Sequence, residues 1–333
     1  MKSFTKMAGV TLQDVARATG FAVSTVSYAL RGARNVPPAT AERIRAEAGR
    51  IGYRVNARVA ELMAHVRRGR GADPADRLAL VWVEAGAERG LGREIAEGAR
   101  TRALERGYGL AEFTLAKTEG RTRRLADILF ARGIAGVVFG PVFERARVDI
   151  DWPWERFAMA VVGTAEWKVP LSRAAHHHYE AMRLTLEAAD KTGATRPAVW
   201  LGATTNERAH RGWQAAWLAY GPADAAQRLW LTDERPARQP LRRWLREMRP
   251  DAMLVGDAGQ AGRLREAGWS GEPGRTFIMD WRAGAGLPGV DQGYDTIAGH
   301  AVDLVVAQLQ RNERGAPDPP RSLLFPGRWR ADA

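Results

Sequence analysis

The hydropathy pattern of this 333-residue chain changes period once, near the run Arg67-Arg68-Gly69-Arg70-Gly71. Before it, apolar residues recur at the three-to-four spacing of short helices. After it, short continuous apolar runs alternate with helical stripes, and repeated strand–helix units of that kind produce parallel sheets with right-handed crossovers. The chain therefore reads as a small all-α domain followed by a larger α/β core.

In the first segment, Thr11 can cap a helix from Leu12 to about Ala18, with Asp14 in its first turn. Thr19-Gly20-Phe21 supplies a tight turn. A second helix from about Ala22 to Leu30 sets Val26 and Leu30 on one face and Val23, Ser24, Ser27, Tyr28 and Arg31 on another. Gly32 stops it, Pro38 suits the first turn of a third helix, and Ile44, Ala48 and Ile51 give that helix a buried stripe before Gly52 ends it. The pattern is a helix-turn-helix with a bracing helix.

Charge separates the same two parts. Residues 1–71 carry 13 basic and four acidic side chains, so +9 of the net +12 sits in this small segment. A localised basic module is the electrostatic footprint of a polyanion binder, because each phosphate neutralised releases counterions. A helix presenting small polar and apolar side chains fits a major groove, where Ser and Thr meet base edges and a Val methyl meets a thymine methyl. A three-helix bundle with no partner has the same pattern, and the charge favours DNA.

The runs V-T-L-Q-D-V-A-R-A-T-G (Val10 to Gly20), S-T-V-S-Y-A-L-R-G (Ser24 to Gly32), T-A-E-R-I (Thr40 to Ile44) and G-Y-R-V-N-A (Gly52 to Ala57) resemble the LacI/GalR family of bacterial repressors. The resemblance implies that Val23, Ser24 and Ser27 approach base edges and that Thr11, Thr25 and Asn56 contact phosphates. It adds Tyr28, Arg31 and Arg58 to the DNA-binding set. It also implies a hinge helix from Asn56 to about Arg67 that puts Leu62, with Met63 beside it, into the minor groove as a wedge. Tyr28 stands where many members carry Arg, Ala22 where they carry Ser or Thr, Arg31 where Asn is common and Val55 where Pro usually precedes the hinge. The operator sequence therefore cannot be carried over from a relative.

In the larger segment, strands are expected at Leu78 to Val83, Leu110 to Leu115, Gly136 to Phe139, Ala158 to Val162, Pro197 to Leu201, Ala252 to Val255 and Thr276 to Met279. Helices are expected between them, and a last one from about Thr296 to Arg311. Sheets of this kind bind ligands at the carboxyl ends of their strands. The resemblance continues through R-A-H-R-G-W (Arg208 to Trp213), P-D-A-M-L-V-G-D (Pro250 to Asp257), F-I-M-D-W (Phe277 to Trp281) and G-V-D-Q (Gly289 to Gln292). It implies a periplasmic-binding-protein-like core of two parallel-sheet subdomains with Arg208, Asp257, Asp280 and Trp281 at an effector site between them. The expected domains are 1–55 for DNA binding, 56–75 for hinge and linker, and 76–333 for effector binding and dimerisation. The last divides into about 76–164 plus 292–318 and about 165–291 plus 319–333. Trp213 and Trp217, one turn apart, are expected in a core or a dimer interface.

Several chemistries find no support. The chain has no Cys, which removes disulfides, thiolate catalysis and Cys-ligated zinc. No apolar run approaches the ~20 residues that cross a bilayer, and the N-terminus lacks an export signal core, so a cytoplasmic location is expected. Gly284-Ala285-Gly286-Leu287-Pro288-Gly289 fits G-x-G-x-x-G but precedes no helix N-terminus for a pyrophosphate, so it reads as a loop. His176, His177 and His178 are adjacent and point different ways, so they read as a surface cluster rather than a metal site. Gly268-Trp269-Ser270-Gly271 is one residue short of a nucleophile elbow. The expectation is a homodimeric transcriptional regulator, a repressor acting on a pseudo-palindromic operator under a small-molecule effector such as a sugar. It has no catalytic residues, no cofactor and no metal. The alternative is a sugar-binding or sugar-processing protein with an incidental basic module.

Overall fold

A computed structural model describes residues 12–30, 36–53, 77–84, 90–115, 121–232, 236–271 and 274–331. Three helices come first: α1 (Leu12–Thr19), α2 (Val23–Leu30) and α3 (Pro38–Arg50). Gly20 turns the chain out of α1 with φ +75°, a conformation that disfavours a side chain, and its N–H reaches back to Ala16 O at 2.9 Å. Pro38 sits in the first turn of α3, where its missing N–H is not needed. Val15, Val26, Ala29 and Ile44 are fully buried between the three helices, and the Arg43 guanidinium lies 5.6 Å over the Phe21 ring, tying α3 to the turn. Among the described residues, this core shares none with those of the rest of the chain. Thr11, Arg31, Asn56, Arg58, Leu62 and the expected hinge helix lie outside the described residues.

The α/β part begins with β1 (Arg77–Trp82), α4 (Leu91–Glu105), β2 (Gly109–Thr114), α5 (Arg121–Ala131), β3 (Gly136–Phe139), β4 (Arg147–Val148), β5 (Ala158–Val162), β6 (Glu166–Trp167) and β7 (Ser172–His176). It continues through α6 (His178–Lys191), β8 (Pro197–Gly202), α7 (Ala203–Arg208), α8 (Gly212–Tyr220), β9 (Leu229–Thr232), α9 (Arg238–Met248), β10 (Ala252–Val255) and α10 (Ala258–Glu266). The last elements are β11 (Thr276–Trp281), β12 (Gly289–Asp291), α11 (Tyr294–Arg311), β13 (Ser322–Phe325) and β14 (Arg328–Arg330).

Two six-stranded sheets result. The first has the order β13-β7-β5-β3-β1-β2 and is parallel throughout. The second has the order β14-β12-β11-β10-β8-β9 and is parallel except for β14, which runs antiparallel to β12. In both, the strand order reverses beside the first strand, between β1 and β3 and between β8 and β10. Crevices that bind ligands open at the carboxyl ends of strands at such points. The continuous apolar runs have the expected cause, since β1, β3, β5 and β10 are covered on both faces.

The chain passes between the sheets after His176, between Asp291 and Tyr294, and between Phe325 and Arg328. These crossings differ from the boundaries expected at 164/165 and 318/319. Ser172–His176 pairs with β5, and Ser322–Phe325 pairs with β7, so both strands belong to the first sheet. His177 N–H donates to Phe325 O at 2.9 Å and fastens the first crossing to the third.

Helices α4 and α11 pack closely over the first sheet. A Cβ placed on Gly98 would meet Asp295 O at 2.2 Å and Asp295 Cα at 2.4 Å, so only glycine lets the two backbones approach this far. Trp213 and Trp217 are buried, and Trp217 Nε1 donates to Ala225 O at 2.8 Å, which makes the pair part of the second subdomain's core. Gly284 to Gly289 forms a loop leading into β12 with no helix after it. No helix among the described residues is long and apolar enough to cross a membrane.

Candidate functional site

On the helical domain, α2 presents Val23 and Tyr28 to solvent, each 43% exposed, while Val26 and Ala29 on its other face are buried. Thr25 is half-buried. Ser24 and Ser27 lie on α2, and their side chains fall outside the described part. The exposed stripe is therefore apolar and aromatic at its described positions, carried on the basic part of the chain.

The second site lies between the sheets. Three contacts join loops at the strand carboxyl ends of one sheet to those of the other. Arg208, ending α7 after β8, donates to Phe143 O after β3, and its guanidinium lies 5.6 Å over the Phe143 ring. His210 Nε2 meets Thr164 O after β5 at 2.7 Å. Arg282 after β11 approaches Glu94 of α4 at 3.4 Å. Phe143 is itself held by Glu84, a buried carboxylate that accepts from Phe143 N–H at 2.7 Å and Glu144 N–H at 3.0 Å.

Between these ties runs a continuous chain of side chains. Asp280 Oδ2 accepts from Arg282 at 3.1 Å and from Tyr294 Oη at 3.3 Å. The Arg282 guanidinium lies 4.1 Å over the Tyr294 ring, a cation–π contact. The His176 ring meets Tyr294 edge-on at 4.1 Å, His178 lies 5.5 Å from His176, and Trp213 meets His178 edge-on at 4.7 Å.

Local structure explains how these residues meet. The pairing of β11 with β12 shifts register between Ile278 and Trp281, and this bulge re-aims the side chains at the strand end. Asp280 joins the cleft, while Trp281 packs on the α9–α10 side of the sheet with the Arg330 guanidinium 5.6 Å over its ring. Trp281, expected at the effector, is thus not part of the chain of contacts. Asp257, also expected there, caps α10 by accepting from Gln260 N–H at 2.8 Å. Arg208 and Asp280 are brought into the cleft. Sequence reasoning missed His176, His178, His210, Arg282, Tyr294, Phe143 and Glu94.

The histidine run is not a surface cluster. His177 caps α6 by accepting from Glu180 N–H on Nδ1 at 3.2 Å. The flanking His176 and His178 then lie near one another, with His176 only 5% exposed. Burial, with Arg282 and Arg208 nearby, brings His176 down to about 3, so it is neutral at pH 7. Burial pushes Asp280 up to about 6 against the opposing pull of Arg282 and Tyr294. Removal from water also raises Glu94 and Tyr294 above their ordinary ranges. Along this chain His176 Nδ1 and Trp213 Nε1 are buried without a hydrogen-bond partner, as is Gln292 Oε1 on the segment before Tyr294, while Asp280 Oδ1 is met by Arg282 at 3.0 Å. Leaving buried polar atoms unsatisfied costs about 1–3 kcal/mol each, a cost that a hydrogen-bonding group placed beside them would relieve. Among the described residues, no group of three or more His, Asp or Glu could hold a metal ion.

Residues 11–56 match the family of bacterial regulatory proteins of the lacI type. Among solved structures, the transcriptional regulator CelR in complex with cellobiose is similar at 18% identity over 96% of this chain and 98% of that one, with a TM-score of 0.54. The lac repressor dimer bound to operator and the anti-inducer ONPF aligns at 17% identity over 97% and 98%, with a TM-score of 0.53. A LacI transcriptional regulator from Rhodococcus aligns at 15% identity over 77% and 97%, with a TM-score of 0.56. At these identities the likeness is one of fold. No curated protein sequence matches the chain. Residues 11–56 are therefore a LacI-family helix-turn-helix DNA-binding domain, and the chain as a whole has the fold of that family's repressors.

Proposed function

We propose that this chain is a ligand-controlled transcriptional repressor. Two copies read the halves of a pseudo-palindromic operator with their α2 helices, and a small polar effector such as a sugar binds between the sheets. The observation that carries this reading is the coexistence of two features on one chain. One is an exposed recognition helix in a +9 segment. The other is a cleft whose unsatisfied polar atoms lie where two subdomains meet. The effector acts by binding one angle between the subdomains better than another, since only differential affinity shifts an equilibrium. The solved relatives crystallised with operator or with cellobiose support both halves of the reading.

Selection of bound fragments from genomic DNA by the purified protein, at near-physiological salt, tests the first half. Recovery of a short palindrome is expected, and recovery of nothing above background counts against the reading. On the selected operator, Tyr28→Ala lowers specific affinity by roughly 5- to 100-fold, the worth of one base-side contact. Nonspecific affinity and its salt slope stay unchanged because no charge is lost. Equal losses on both DNAs would remove α2 from the reading role.

Asp280→Ala tests the second half. It deletes the carboxylate that holds Arg282 and Tyr294 together at the cleft. Effector-dependent change in operator affinity is lost while effector-free affinity stays. A variant that still responds fully shows that the effector binds elsewhere.

A further inference from the structure

We infer that the guest of the cleft is a polyol bearing an oxyanion, a carboxylate or a phosphate, seated between Arg208 and the imidazoles of His176 and His178. This rests on the reading of the cleft as the effector site and names the charge of the effector.

The basis is a cluster of basic groups with no acid among them. Arg208 is half-buried, and among the described residues it hydrogen-bonds a backbone carbonyl, Phe143 O, and makes no ion pair. His210 likewise meets a carbonyl, Thr164 O. Guanidinium groups out of full contact with water pair most favourably with planar oxyanions, which a single carbonyl imitates poorly. His176 and His178, 5.5 Å apart, both lie within electrostatic reach of Arg208, and His176 Nδ1 is buried with no partner.

Among the described residues, the charged and titratable groups facing the imidazoles come from four segments. Arg208 and His210 come from the α7–α8 segment, and His177 from the same crossing. Arg282 comes from the end of β11 and Tyr294 from the start of α11. Asp280 is the acid of this region, and its oxygens answer Arg282 and Tyr294 rather than an imidazole. The cationic side chains acting on His176 are accordingly Arg282 and Arg208, and on His178 Arg208. Every one of them disfavours protonation, and burial disfavours it further. Among the described residues, the cleft thus holds a positive potential that no carboxylate offsets at the imidazoles.

A neutral sugar could satisfy the unpaired polar atoms but would leave this potential in place. An oxyanion satisfies both. It pairs with Arg208, accepts from an imidazole N–H, and raises the proton affinity of His176 and His178 from their depressed values. The proton goes from solvent to an imidazole nitrogen as the anion binds. Affinity for the anion therefore rises as pH falls through the imidazole pKa of the complex, whereas a neutral polyol shows no such slope.

The test is calorimetric titration of the full chain with matched sets of probes: glucose, gluconate and glucose 6-phosphate; galactose, galactonate and galactose 1-phosphate. Each is run in phosphate-free buffers of different ionisation enthalpy. The expected result is that a charged probe binds at least about tenfold more tightly than its neutral parent and takes up protons. Whether the acid or the phosphate binds tighter identifies the oxyanion. Arg208→Met brings the charged probe down to the affinity of its parent, and His176→Gln with His178→Gln removes the proton uptake. Thermal melting of each variant checks that it is folded, and if His176→Gln with His178→Gln is not, Arg208→Met decides alone. Neutral parents binding as tightly as the charged forms, charge preference surviving Arg208→Met, or no binding by any charged probe each overturns the inference. Failure of the genomic selection with charged probes still binding would instead overturn the repressor reading and leave the charge of the guest standing.

Discussion

Ile44→Ala abolishes operator binding and leaves the melting of the α/β core in place. Ile44 is fully buried among Val15, Val26, Ala29 and Ala48 in a core that, among the described residues, belongs to the helical domain alone. Truncating such a side chain costs ~2–5 kcal/mol, counting the lost transfer energy and the cavity left behind. A single core in a domain of this size supplies no more than about 3–5 kcal/mol. The substitution therefore consumes all or most of the domain's stability, and α2 loses the frame that presents it. Circular dichroism should show part of the helical signal gone at 25 °C while the main transition of the core keeps its midpoint. A variant that binds operator normally would show that the three helices draw their stability from outside their own core.

Gly98→Ala has the opposite distribution of effects. Its Cβ would lie 2.2 Å from Asp295 O and 2.4 Å from Asp295 Cα, and both are backbone atoms that cannot rotate aside. Helices α4 and α11 must separate, and overpacking of this kind costs about 3 kcal/mol. The core's midpoint then falls by roughly 6–12 °C for a domain of this length. Asp295 follows Tyr294, so the displaced helix end also carries away the group that meets Asp280, Arg282 and His176. Loss of effector response should accompany the loss of stability. Gly262→Ala in α10 is the control, since its Cβ would meet nothing within 4 Å and the helix gains ~0.5–1 kcal/mol of propensity. An unchanged midpoint for Gly98→Ala would show that the two helices do not approach as closely in solution.

What the sequence makes legible is what local chemistry determines. Helices α1 and α3 stop beside Gly20 and Gly52, α3 starts at Pro38, and the buried strands β1, β3, β5, β8 and β10 follow their continuous apolar runs to within a residue or two. Short strands at sheet edges escape notice, because β9, β13 and β14 are only three or four residues long and partly exposed. Missing β7 and β13 moved the expected subdomain boundaries. At the cleft, family position points to Asp280 and, one residue off at Ala209, to its neighbour Arg208, but the rest depends on tertiary events. The direction of Asp280 and Trp281 is set by a bulge in β11, which hydropathy does not encode. Adjacent histidines diverge in a regular strand or helix. Here the run straddles a strand end and a helix start, and the cap formed by His177 lets its two neighbours lie side by side. Tyr294 and Arg282 come from different segments, and folding alone joins them to His176.

The three crossings between the sheets run side by side, the first and third fastened through His177 and Phe325. One tether would leave two rigid bodies free to tumble, and two would leave them free to shear. A row of three removes stretching and sliding and leaves a swing, as pins along the edge of a door leave one axis of rotation. A guest anywhere in the cleft can then be felt at the far end of either subdomain as a single angle.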